Sequence, residues 1–144
     1  MKLNPLKIAG IVLVLVLAPG VVKWWKRLTY EETISKRVDA TRHSLPHMTQ
    51  DRIVQTGIKL EGHLLKNRFE TSYPFNAGPE QTAVMTQAVK ESVCESEDYR
   101  DMLFHGYTIE QTFDRTIELG VPPGSGPLTV TFTAADCPAV VVRK

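Results

Sequence analysis

The pattern of hydrophobic and polar positions divides this chain into two parts. Residues 8–22 form an uncharged apolar run of 15 residues with no polar face, and Lys7 and Lys23 bound it. After residue 28, apolar residues recur at helix and strand periods, as they do in a folded domain. The pattern predicts a membrane segment followed by one domain.

We interpret residues 1–27 as an N-terminal membrane anchor, a transmembrane helix of the signal-anchor kind. A bilayer core needs roughly 20 helical residues, so the run is short unless its helix extends to Trp25. A cleaved signal peptide with its site at Ala18-Pro19-Gly20 is the main alternative, and a buried core helix is a third. No Cys lies directly after the run, so we expect no lipoprotein anchor.

The residues that follow the run suit a membrane interface, where tryptophan rings lie at headgroup level and lysines reach water. The predicted interface consists of Lys23, Trp24, Trp25, Lys26 and Arg27. Counting the α-amino group, three positive charges flank the run on each side. The positive-inside rule therefore leaves the orientation open.

The first half of the domain predicts a helix and a hairpin. Thr29–Glu32 has the form of a capping box, and helical spacing continues over Tyr30–Ser44 until Pro46. Alternation then predicts strands at 54–60 and 65–73, joined by a turn at Glu61-Gly62.

The second half predicts two helices and two strands. A helix begins at Pro79 and ends near Cys94, and a short helix covers Ser96–His105 before Gly106. Alternation predicts strands at 107–117 and 128–133. The loop between them, Val121–Pro127 (VPPGSGP), is a candidate partner-binding loop; its residues are Val121, Pro122, Pro123, Gly124, Ser125, Gly126 and Pro127.

This order, α-β-β-α-α-β-β, predicts an α+β fold: an N-terminal transmembrane helix, then a four-stranded antiparallel sheet packed on helices. The predicted organisation is an anchor at 1–27, a domain at 28–137 and a tail at 138–144. The tail contains the apolar residues Ala139–Val142, which could add a strand at a sheet edge.

Charge is distributed unevenly along the chain. Five of the 17 basic residues and none of the 16 acidic ones precede residue 28, which gives about +5 before it and −4 after it. Because nucleic-acid binding requires a basic surface, we expect no nucleic-acid partner for the domain.

The two cysteines, Cys94 and Cys137, lie far apart in the sequence and outside any metal-binding motif. A structural disulfide in an oxidising compartment is the simplest interpretation, and two buried free thiols are the alternative. A disulfide favours a domain on the periplasmic side of the inner membrane.

The segment Cys94-x5-Arg100-x2-Leu103-x2-Gly106-x2-Ile109, followed by Asp136-Cys137, resembles a group of small uncharacterised proteobacterial envelope proteins. The resemblance implies a periplasmic α+β domain, broadly cystatin-like, with Cys94 bridged to Cys137. The resemblance implies no known activity. The extended loop and the tail of this chain differ from the pattern of the group. Arg100 is expected to pair with Asp136 or to cap carbonyls near the disulfide.

Candidate chemistry is sparse. His43 and His47 are four residues apart, but Pro46 lies between them and disfavours a metal site on one helix face. Gly124-Ser125-Gly126 is not a nucleophile elbow. The acidic residues of 91–101 match no calcium loop. We therefore expect no catalytic residue, metal or cofactor.

The sequence favours a non-enzymatic, membrane-anchored periplasmic interaction module, an accessory or regulatory subunit that binds another envelope or membrane protein. Inner-membrane lipid is the partner expected for its N-terminal helix, and a homo-oligomer is compatible with the sequence. A phage-derived superinfection-exclusion factor is one alternative. A small-ligand or enzymatic cystatin-like domain is another, and it would require Gln111, Arg115 or a histidine to line a roomy pocket.

Overall fold

A computed structural model describes residues 5–50, 52–71, 79–115 and 127–138. The elements are α1 (Pro5–His43), β1 (His47–Gln50), β2 (Ile53–Glu61), β3 (Leu64–Thr71), α2 (Pro79–Glu95), α3 (Glu97–Phe104), β4 (Thr108–Arg115), β5 (Leu128–Phe132) and the 3-10 turn η1 (Ala134–Asp136). Contacts divide the chain into two units, of which the first ends at Asp39 and the second begins at Ala40.

Helix α1 continues through the position where a new helix was predicted to begin. The Thr29 hydroxyl donates to the carbonyls of Trp25 and Lys26, at 3.1 and 2.9 Å. Threonine makes this bond to the preceding turn when it lies inside a helix. The prediction of a helix N-cap at Thr29 was therefore wrong, although the predicted end near Ser44 agrees with the observed end at His43.

The predicted transmembrane helix is also corrected. In the part of the chain that the structure describes, no helix is both long enough and apolar enough to cross a membrane. The uncharged run of 15 residues is shorter than the roughly 20 residues that a bilayer core requires. Ile8–Val22 lies within α1, and most of its side chains are outside the described residues. A single-pass inner-membrane localisation has no support.

The sheet has five strands in the order β1-β2-β3-β4-β5. Neighbouring strands are antiparallel except β3 and β4, which are parallel over Leu64–Thr71 and Thr108–Arg115. The prediction of four antiparallel strands was therefore wrong. Helices α2 and α3 form a crossover between β3 and β4, and a crossover of this length returns the chain to the same end of the sheet.

The predicted hairpin is confirmed as β2 and β3. Its turn contains Gly62 at φ +60°, a left-handed conformation that glycine adopts without a Cβ clash. The turn also contacts the far half of the sheet, because the Thr108 amide donates to the His63 carbonyl at 2.8 Å. This bond fixes the start of β4 beside the hairpin.

A bulge in β2 changes which side chains face the helices. The register shifts between Gln55 and Gly57, so Gln55 and Ile58 both pair with inward-facing residues of β3, Phe69 and Asn67. Simple alternation would place Gln55 and Ile58 on opposite faces. The bulge instead buries the Gln55 amide.

Helices α2 and α3 confirm the helices predicted for this region. The Ser96 hydroxyl accepts a hydrogen bond from the Tyr99 amide at 3.4 Å and caps α3. After α3, Gly106 has φ +81° and lets the chain turn into β4.

The core of the second unit lies between the inner sheet face and α2 and α3. Phe69 and Phe113 stack across the parallel pair with ring centroids 5.1 Å apart. The buried hydrophobic residues of the strands and of these helices are Leu65, Phe69, Val89, Val93, Met102, Leu103, Tyr107, Ile109, Phe113 and Phe132. In α1, Ile34 and Val38 are buried and lie one turn apart. The second unit therefore combines helices with a five-stranded mixed sheet, in place of the predicted four-stranded antiparallel one.

Candidate functional site: a cleft beside the disulfide

The predicted disulfide is confirmed. Cys94 in α2 and Cys137 after η1 are joined with an S–S distance of 2.01 Å and a Cα–Cα distance of 5.3 Å. Cys94 is half-buried and Cys137 is buried. Since the chain has two cysteines, neither is free to act as a nucleophile or metal ligand.

An open cleft of about 520 Å³ lies beside this bridge. One wall is a face of α2 on which residues recur at helical spacing, and the other walls come from α3, η1 and the residue after Cys137. The lining residues are Gln87, Lys90, Glu91, Cys94, Glu95, Arg100, Asp136 and Pro138. The disulfide joins the two sequence segments that form the cleft.

The Asp136 carboxylate is hydrogen-bonded within its own turn, η1. Its carboxylate accepts hydrogen bonds from the Thr133 amide at 2.8 Å and the Thr133 hydroxyl at 3.0 Å. These bonds lower the pKa of Asp136, and the charge of Lys90 lowers it slightly further. The carboxylate therefore stays ionised, and it holds the η1 wall in shape.

Arg100 does not form the predicted ion pair with Asp136: no such contact occurs between these two described residues. Its Nε atom is buried and has no hydrogen-bond partner among the residues that the structure describes. Burying an unpaired donor of this kind costs about 1–3 kcal/mol. Arg100 thus lines the cleft as a cation that forms no ion pair with a described residue.

Of the acidic residues on the α2 side of the cleft, Glu91 accepts a local hydrogen bond and Glu95 faces solvent. The Gln87 side chain donates to Glu91 at 2.9 Å, and Glu95 is exposed. The described residues contain no group of three or more His, Cys, Asp or Glu arranged to hold a metal ion. The groups present can bind a partner through charge and hydrogen bonds.

A row of buried polar side chains lies on the inner sheet face. Gln55 donates to Asn67 at 3.2 Å, and Asn67 donates to the Tyr99 hydroxyl at 3.4 Å. Gln111 is buried beside Asn67 in the parallel register. Burial raises the pKa of Tyr99, and the nearby Asp98 raises it further. This row satisfies core polar groups and does not line the cleft.

The outer sheet face is charged and internally paired. Glu61 contacts Lys59 at 2.7 Å and Lys66 at 2.6 Å, and Arg68 pairs with Asp114. The two lysines lower the pKa of Glu61 to about 2. Paired charges of this kind are typical of a sheet face that is exposed to water.

Several predicted site residues lie elsewhere. Residues 121–126 of the candidate loop and the tail from 139 are outside the described residues, while Pro127 is exposed. The predicted interface residues 23–27 lie on α1 and are exposed. His43 ends α1 and His47 begins β1, while the His63 ring lies tilted against the Tyr107 ring with centroids 4.7 Å apart. Sequence reasoning missed Gln87, Lys90 and Pro138 as cleft residues.

Solved structures of three other proteins are similar to this fold. A predicted secreted protein from Pseudomonas aeruginosa has a TM-score of 0.59 at 19% identity, covering 78% of this chain and 96% of that one. The pilotin EpsS of the Vibrio vulnificus type 2 secretion system has a TM-score of 0.57 at 18% identity, with coverage of 78% and 96%. The Vibrio cholerae type II secretion system pilotin AspS has a TM-score of 0.56 at 18% identity, with coverage of 78% and 95%.

At these identities the likeness shows a shared fold. No family model and no curated protein sequence matches the chain.

Proposed function

We propose that this protein is a non-enzymatic accessory module that binds another protein of the cell envelope. Two of the proteins with a similar fold are pilotins of type II secretion systems. That likeness supports an accessory role alongside an envelope complex.

A compartment outside the cytoplasm is part of the proposal. The Cys94–Cys137 bridge supports it, because stable disulfides form in oxidising compartments such as the periplasm. The fold of a predicted secreted protein is consistent with the same location.

The observation that carries the proposal is the open cleft beside the disulfide, where Arg100 lines the wall and forms no ion pair with a described residue. A partner that brings a carboxylate into the cleft would pair with the Arg100 guanidinium through charge-assisted hydrogen bonds. The disulfide fixes the cleft walls before binding, which lowers the entropy cost of forming the complex.

Site-specific photocrosslinking in intact cells tests this function. A photoreactive residue at Gln87 lies in the cleft, whereas one at the exposed Thr131 lies on the outer sheet face. We expect Gln87 to form one discrete adduct with an envelope protein and Thr131 to form none. Equal labelling from both positions, or no protein adduct from either, contradicts the proposal.

Arg100 substitutions test the chemistry of the cleft. Arg100→Gln removes the charge and the donor fork, and Arg100→Lys keeps the charge alone. Both should lower the affinity for the crosslinked partner, Gln by about tenfold or more, since a hydrogen bond from a charged donor contributes about 1.5–3 kcal/mol. Circular dichroism controls for folding. Unchanged affinity in both folded variants would exclude Arg100 from recognition.

A further inference from the structure

Residues 22–28 of α1 carry a cluster of exposed apolar side chains. The exposed fractions are 50% for Val22, 60% for Trp24, 63% for Trp25 and 41% for Leu28. Exposed tryptophan is uncommon on a solvent-facing helix, because each ring brings a large apolar area into water. Three of these residues, Trp24, Trp25 and Leu28, are named here the tryptophan patch.

Helix geometry separates the patch from the basic residues of the same segment. A helix turns by roughly 100° per residue, so Trp24, Trp25 and Leu28 fall within an arc of roughly 100°. Lys23, Lys26 and Arg27 fall within a second arc of similar width on the opposite side. The segment is therefore amphipathic, with aromatic residues on one face and cations on the other.

The cations are largely available to an external partner. Arg27 pairs with Glu31 at 3.1 Å, and both side chains are solvent-exposed. Lys23 and Lys26 form no ion pair with any residue that the structure describes. Since no acidic residue precedes Glu31 in the chain, the local charge stays positive.

We infer that residues 22–28 of α1 bind the surface of a membrane that contains anionic phospholipid. Tryptophan rings enter the headgroup region, while flanking lysines reach lipid phosphates. An acidic protein surface would satisfy the cations but leave the two indole rings in water. This inference concerns attachment to a lipid surface, and it is independent of partner binding in the cleft.

The chain contains two tryptophans, both in the patch, so intrinsic tryptophan fluorescence reports on this site alone. The full-length protein is mixed with phosphatidylcholine vesicles, with or without added phosphatidylglycerol. We expect a blue shift of the emission and quenching by brominated lipid, both stronger with the anionic vesicles. Added salt should weaken the preference for anionic vesicles, because it screens exposed charges.

Charge variants provide the matched comparison. Lys23→Gln and Lys26→Gln should each weaken binding to anionic vesicles by about fivefold. Lys36→Gln makes the same charge change later on the same helix, where Lys36 pairs with Glu32 at 2.6 Å, and should leave binding unchanged. A Trp24→Ser/Trp25→Ser variant, followed by vesicle sedimentation, should lose most binding.

Two results overturn the inference. In the first, the protein binds both vesicle types with equal affinity, and neither salt nor Lys23→Gln changes that affinity. This result would assign binding to the apolar run at residues 8–22. The other is sedimentation with vesicles without any change in tryptophan emission, which places the contact elsewhere. Neither result affects crosslinking from Gln87, so failure here and failure of the proposed function are distinguishable.

Discussion

Removal of the Cys94–Cys137 disulfide should destabilise the second unit strongly. The bridge spans a sequence separation of 43 residues. Closing a loop of about that length removes about 13 cal/mol/K of entropy from the unfolded chain, or about 4 kcal/mol at 25 °C. Because β4 and β5 lie between the two cysteines, the reduced chain regains the freedom of that whole region when it unfolds.

Urea unfolding followed by circular dichroism measures this loss. Three samples are compared: oxidised protein, the same protein after reduction, and the Cys94→Ser/Cys137→Ser variant. Reduction keeps both sulfur atoms and so controls for the change of the buried Cys137 side chain. We expect both altered samples to unfold at a urea concentration lower by about 1.5–4 M.

The refuting result is a loss below about 1 kcal/mol in both altered samples. Such a result would mean that packing of η1 on α3 suffices without the bridge, and that the loop entropy is offset by residual structure in the unfolded state. A large loss in the serine variant alone would assign the effect to side-chain packing. Crosslinking from Gln87 should weaken together with stability.

Two further predictions concern packing and pH. In α2, Val93 is 0% exposed and Val84 is 71% exposed. Val93→Ala should therefore lower the free energy of unfolding by about 2 kcal/mol, and Val84→Ala by less than about 0.5 kcal/mol. Urea unfolding measures both losses, and similar values for the two variants would contradict the burial assignment. Thr133→Val should raise the pKa of Asp136 towards the ordinary aspartate value of 3.8, and NMR titration measures this change. The pKa of Asp136 is lowered in the folded native protein, so its ionised carboxylate stabilises the fold at neutral pH. This contribution is lost as the pH falls through that pKa. The Thr133→Val variant should therefore lose less stability on acidification than the native protein does.

The elements that the sequence predicted correctly are those set by local chemistry. The hairpin follows from alternation around Gly62, and the α3 boundaries follow from Ser96 and Gly106. These signals involve residues within a few positions of one another. They are therefore readable without knowledge of the tertiary fold.

The errors arise where distant or competing contacts decide the structure. Thr29 and Glu32 fit a capping box, but the preceding turn of α1 supplies Thr29 with carbonyl acceptors instead. Strand β1 has four residues and no clear alternation. The parallel pairing of β3 and β4 could have been inferred, since two helices lie between those strands.

The candidate cleft was only partly predictable. Pairing of Cys94 with Cys137 was expected, and the spacing of Gln87, Lys90 and Cys94 places them on one face of α2. The sequence could not show that the Asp136 carboxylate accepts hydrogen bonds from Thr133. Nor could it show that Arg100 forms no ion pair with Asp136. That outcome depends on the exact path of η1.

The parallel pairing of β3 with β4 also bears on how the chain acquires its structure. Strands β2 and β3 can pair as soon as both are synthesised, but β4 can join only after α2 and α3 have been made and have crossed the sheet. Pairings between distant segments form slowly, because the chain must close a long loop first. Until then the free edge of β3 is open to other chains. Any factor that speeds docking of the crossover should therefore reduce aggregation during folding.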